Sequence, residues 1–227
     1  MNIQSGRLKL SDAQSAAHPA LAHHFDTVEQ QREASSLGMW VFLAQEVMFF
    51  GGLFLTYLVY RSAYPIAFAE ASHHLNVPLG GTNTVILITS SLTMALAVFA
   101  SETGKQRMLI AFLLLTLILG LGFLGIKTVE YHDKYVHHLI PGFGFTYHGP
   151  HGPQAQIFFS LYFVMTGMHA LHMVIGMGLL IWLMALARKG KFSPEYHSPV
   201  ELFCLYWHVV DIVWILLFPL LYLIGLH

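Results

Sequence analysis

Six side chains that could do chemistry stand in apolar surroundings in this sequence. Glu46 lies in LAQEVMFFGG, Glu130 in KTVEYHDKY, His169 and His172 in TGMHALHMVIG, and His208 and Asp211 in YWHVVDIVW. Such groups are expensive at membrane depth and face the protein interior or a water-filled space. A spacing of three puts His169 with His172, and His208 with Asp211, on shared helix faces. Glu46 sits roughly 14 Å along its segment.

Four kinds of chemistry fit these residue types. Glu46, His169, His172, His208 and Asp211 could supply the three or four donors of a metal site if their helices converged. The paired Glu-x-x-His pattern of ferritin-like di-iron bundles is absent. Two axial histidines for haem must lie at matching depth, but His208 is about 13 Å and His172 about 24 Å from the expected cytoplasmic ends. A buried carboxylate such as Glu46 could exchange protons, with Gly51 and Gly52 weakening the helix beside it. No repeat symmetry of the transporter kind accompanies them. The favoured reading is interhelical hydrogen bonding, which fixes register at a modest energy per bond. Trp207 and Trp214 read as packing residues, and Gly167, Gly176 and Gly178 as sites of close helix approach.

The elements that must hold these residues are membrane spans. The chain has 227 residues, 56% hydrophobic and only 10% charged, whereas soluble domains carry about 25% charged residues. A span needs roughly 20 apolar residues. Five segments qualify: 37–60, 82–100, 108–127, 155–187 and 199–225. The expected fold is therefore an all-α integral membrane bundle of five transmembrane helices. Residues 1–36 read as a polar, His-containing N-terminal arm, with no apolar core of a removable signal peptide. Residues 37–227 read as the membrane domain.

Charge placement gives an expected orientation. Arg7, Lys9, Arg32, Lys105, Arg107, Arg188, Lys189 and Lys191 fall on one side of the spans, and Arg61, Lys127 and Lys134 on the other. That bias predicts a cytoplasmic N-terminus and an outside C-terminus. A net charge of -1 gives no electrostatic case for nucleic acid. The single cysteine, Cys204, excludes an internal disulfide. His18, His23, His24, His73, His74, His137 and His138 lie outside the spans and read as solvated loop histidines.

The stretches LGMWVFLAQEVMFFGGLF, LNVPLGGTNTVILITSSLTM, LGLGFLGIKTVEY, FFSLYFVMTGMHALHMVIG and YWHVVDIVWILLFPLLYLIG occur in this order from Gly38 to Gly225. Together they resemble subunit III of the haem–copper oxidases, most closely the cytochrome c oxidase branch. The resemblance implies a non-catalytic subunit with no haem, copper or other metal of its own. The haem and copper would reside in partner subunits. It implies direct packing on subunit I, with subunit II and a small subunit IV as further partners, and bound phospholipid. It also implies support of proton uptake and location in the inner membrane of a bacterium. Glu46 matches the family's buried, carbodiimide-reactive glutamate. The long form of the family has seven helices, and the two that would precede the first span are absent here. The five-helix form also resembles subunit III of ubiquinol oxidases; the glutamate of AQEVMFF favours the cytochrome c branch. Rival readings are a stand-alone proton carrier and a haem-bearing electron-transfer protein.

Overall fold

The computed structural model describes residues 25–142 and 144–223. Among them are six helices: α1 (Val28–Ala63), α2 (Pro65–Ser72), α3 (Val77–Glu102), α4 (Gln106–Val136), α5 (Gly152–Arg188) and α6 (Ser198–Tyr222). All but α2 are long and apolar enough to cross a membrane, so the five-span, all-α expectation holds. Each of the five runs beyond the apolar stretch from which it was read, except at the end of α6. The early start of α1 takes helix into the stretch read as an arm. His18, His23 and His24 lie outside the described residues.

Local chemistry sets the helix ends. Thr27 Oγ1 accepts a bond from the Gln30 backbone N–H at 3.1 Å, just where α1 begins. Asn76 caps α3 in the same way through Leu79 N–H. Proline in the first turn opens α2, α3, α5 and α6, where its missing N–H costs no helical bond. Gly104 and Gly190, both with φ +68°, follow the last turns of α3 and α5. Lys105 and Lys191 donate backwards to Ala100 and Leu186, closing the carbonyl ends as left-handed glycine caps do.

The chain divides into compact units Met1–Gln45 and Glu46–His227, and the helices pack on one another within the second. There α3 packs on α4 and α6, α4 on α5, α5 on α6, and α2 on α5. Tyr57 of α1 donates to the Leu220 carbonyl at 2.8 Å and meets Phe68 of α2 edge to face. Phe68 in turn meets Phe158 of α5. Tyr57, Phe68, Phe123, Phe158, Trp207 and Trp214 are all fully buried. These rings form the apolar frame around the polar groups.

Candidate functional site

Lys127, Glu130 and Tyr222 form a closed polar node between α4 and α6. The Lys127 ammonium donates to Glu130 Oε2 at 2.8 Å, and Tyr222 donates to Glu130 Oε1 at 2.6 Å. Lys127 Nζ also reaches the Tyr222 hydroxyl oxygen at 2.6 Å. Aromatic faces enclose the cation, with the Trp214 ring centroid at 4.6 Å and those of Tyr222 and Tyr162 at 5.2 and 5.3 Å. Lys127 is 4% exposed and Glu130 1%. Sequence reading selected Glu130 but placed Lys127 at a span boundary, among the charges outside the spans. Because α4 continues to Val136, Lys127 lies inside the helix, one turn from Glu130. The K-x-x-E spacing in KTVE was the available signal.

Glu46 of α1 faces His172 of α5, with Oε2 3.1 Å from Nε2. The approach has ion-pair distance without hydrogen-bonding alignment, so Oε2 counts no hydrogen bond. His172 Nδ1 lies 2.8 Å from the Met168 carbonyl, a contact that only an Nδ1–H can make favourable. This contact joins α1 to α5.

The remaining selected residues do not pair as expected. His169 is buried against the rings of Phe123 and Trp214, at centroid distances of 5.3 and 5.4 Å. Among the described residues, neither of its ring nitrogens has a hydrogen-bond partner. His208 stays on its own helix, with Nδ1 3.7 Å from Cys204 Sγ. Asp211 is buried, with both oxygens unbonded among the described residues. Among the described residues, the group of three potential ligands that converges within 4.8 Å is Glu102, His197 and Glu201. It includes none of the six residues singled out.

The interhelical bonds come instead from indoles and hydroxyls. Trp207 Nε1 donates to Ser90 at 3.0 Å, and Trp214 Nε1 to Thr84 at 3.1 Å. Thr93 and Thr116 hydroxyls meet at 2.8 Å, and Tyr131 and Thr166 at 2.6 Å. Tyr206 donates to the His172 carbonyl at 2.8 Å. Both tryptophans thus join helices through polar atoms as well as by packing. Of the three glycines expected to permit close approach, Gly176 does so against Trp207 and Tyr206, whereas a Cβ at Gly178 would meet nothing within 4 Å.

A separate cavity of about 480 Å³ is lined by His74, Asp133, Lys134, His137, Tyr147 and His148. The rings of His74 and Tyr147 meet at 5.6 Å. Burial, and then the charges of Lys134, His137 and His73, hold the His74 imidazole below its ordinary 6.5. A folded-state value below the unfolded one means that the unfolded chain binds more protons as pH falls through 6.5. The His74–Tyr147 closure should therefore be firm above that pH and weaken below it. Protection factors of the amides of residues 144–149, in which exchange is normalised to its intrinsic pH-dependent rate, should fall on acidification, and His74→Gln should flatten that fall. A pH-independent protection factor in the parent protein would contradict it.

A family model described as cytochrome c oxidase subunit III matches residues 15–226. The chain belongs to that family. The subunit III relatives include cytochrome c oxidase subunit 3 of Corynebacterium diphtheriae, 38% identical over 192 residues, covering 83% of this chain and 87% of the relative. That of Synechocystis sp. is 34% identical over 215 residues, covering 94% and 84%. A probable quinol oxidase subunit 3 of Staphylococcus haemolyticus is 29% identical over 211 residues, covering 91% and 98%. Membership makes this subunit III chain a multi-pass membrane component of a multi-subunit oxidase of the haem–copper family, an oxidoreductase complex with partner subunits.

Proposed function

We propose that the chain is the non-catalytic third subunit of a proton-pumping haem–copper oxidase that reduces oxygen to water with electrons from cytochrome c. The observation that carries this reading is the family match over nearly the whole chain, together with a 38% identical relative named cytochrome c oxidase subunit 3. In this reading haem and copper sit in partner subunits, with subunit I in direct contact, and subunit II and a small fourth subunit complete the assembly. Phospholipid binds along the helices. The side-chain arrangement supports a scaffold role. His169 is packed by rings, His172 is engaged by Met168 and Glu46, and His208 lies beside Cys204, so the imidazoles are dispersed instead of paired for an axial site.

The membrane is the cytoplasmic membrane of a bacterium, with the N-terminus inside. Lys105 and Arg107, at the start of α4, and Arg188, Lys189 and Lys191, at the end of α5, support that orientation. Burial of Lys127 and Lys134 within α4 removes two charges from the opposing count. The relative named as a quinol oxidase subunit supports a second reading, in which quinol is the donor. Purification through a tag on this chain, followed by assays with reduced cytochrome c and with quinol, separates the two: oxidation of quinol alone would overturn the cytochrome c reading.

Glu46→Gln tests the non-catalytic role. The amide keeps a group able to donate to His172 Nε2, and no redox step runs through it. Oxygen consumption by the assembled complex should stay within about twofold, well short of the tenfold loss that about 1.4 kcal/mol in the barrier would produce. Abolished turnover in a fully assembled complex would overturn the assignment.

A further inference from the structure

Asp211 is 2% exposed, and among the described residues neither carboxylate oxygen finds a hydrogen-bond partner. Ser91 of α3 comes near it, but no contact between them meets hydrogen-bond geometry. The carboxylate lies in a groove of about 270 Å³ between α3 and α6, lined also by Ser91, Ala95 and His208. The rim is apolar and open: Ile88, Leu92, Ile212 and Ile215 are each 41–60% exposed. A polar pocket therefore opens through a hydrophobic rim on a membrane-spanning face.

Hydrocarbon cannot satisfy such a carboxylate, because acyl chains carry no donor. Asp211 lies thirteen residues into α6, roughly 20 Å along a helix about 37 Å long. At that position it is far from the headgroups of either leaflet. The group that completes it must be a donor delivered at mid-membrane depth, and membrane helices deliver side chains there. The groove is too small to swallow a helix about 10 Å across, but it has room for one or two side chains projecting from a helix laid over the rim. Ala95 keeps one wall low, as small residues do where helices approach closely.

The geometry points to the α3–α6 face as the seat of a membrane helix from a partner oxidase subunit, which inserts a hydrogen-bond donor against Asp211 with His208 beside it. The occupant is a helix carrying a hydroxyl, amide, indole or cationic side chain. This inference rests on the proposed oxidase-subunit role, which supplies partner helices, and it adds the face and the chemistry of contact.

The test uses the complete oxidase, purified through a tag on this chain. A photo-reactive benzoylphenylalanine is placed at Leu92, at Ile215 and, as a control outside the groove, at Leu121 of α4. Leu92 and Ile215 should each give an adduct with a membrane segment of another oxidase subunit, with a donor side chain within one helical turn of the adduct. Asp211→Leu should lower that adduct yield about fivefold or more, and Asp211→Asn, whose amide oxygen still accepts, should retain most of it. Adducts confined to phospholipid or quinone at both groove positions, in an intact complex, would overturn the docking face. So would a partner adduct indifferent to Asp211→Leu. The cross-links in the otherwise unaltered chain decide the matter even if the leucine variant does not fold. A tagged chain that brings down no oxidase subunit would overturn the proposed function, whereas an intact complex with lipid-only adducts would overturn this inference alone.

Discussion

Glu130→Leu should remove about 3–5 kcal/mol of stability from the membrane domain, the usual effect of deleting one member of a buried ion pair. The variant strands the Lys127 ammonium among rings and removes the acceptor of the Tyr222 hydroxyl. Cation–π attraction from Trp214, Tyr162 and Tyr222 remains, but it is worth only about 2 kcal/mol when desolvated, too little to replace the carboxylate. Lys127→Met combined with Glu130→Leu should recover most of the loss, because two apolar side chains of similar volume dispense with both desolvation costs. The measurement is denaturation of the purified complex or of the chain in detergent, followed by retention of folded subunit III. If Glu130→Leu alone were neutral, or if the double variant were no better than the single one, the pair would not be the coupled unit that its geometry describes.

The same node shows where sequence reading succeeds and where it stops. Composition locates five spans because 20-residue apolar runs admit few alternatives. Composition does not fix where a helix stops: α4 keeps its helical hydrogen bonds for nine residues beyond Lys127, although the charge there marks the end of the apolar run. His169 and His172 share a face only coarsely. A separation of three residues still leaves about 60° of rotation. On a helix with neighbours on several sides, that sends His169 toward Phe123 and Trp214 and His172 toward Glu46. Thr84 illustrates a further limit. Its hydroxyl donates to the Gly80 carbonyl on its own helix and accepts from Trp214 across the interface. Nothing in the sequence separates a threonine that only bonds back along its helix from one that also links two helices.

The family resemblance was legible from five ordered stretches, and the family match spans the membrane part of the chain in which they lie. The roles of the six singled-out residues were not legible in the same way. Cost identifies a polar residue that needs a partner; it does not say which helix supplies one. Glu130 is satisfied by a lysine on its own helix and a tyrosine on another, Glu46 faces a histidine, and Asp211 is unbonded among the described residues. Three carboxylates with the same sequence signature thus have three different fates.

Gly176→Leu should cost about 3 kcal/mol, the upper range for overpacking a filled interior. A Cβ there would lie 2.9 Å from Trp207 Cζ3 and 3.0 Å from Tyr206 Cε1, and neither ring can withdraw freely. Trp207 is fully buried and holds Ser90 through its indole N–H, while Tyr206 is tied to the His172 carbonyl. Relieving the clash must therefore break an interhelical bond or separate α5 from α6. Gly178→Leu supplies the control two residues away, where a Cβ meets nothing within 4 Å; there the better helix propensity of leucine should leave stability unchanged or slightly raised. Thermal retention of the two variants in the same detergent should differ widely, with Gly176→Leu the weaker. Equal losses would mean that helix flexibility, and not the contact with Trp207, is what glycine provides on this face.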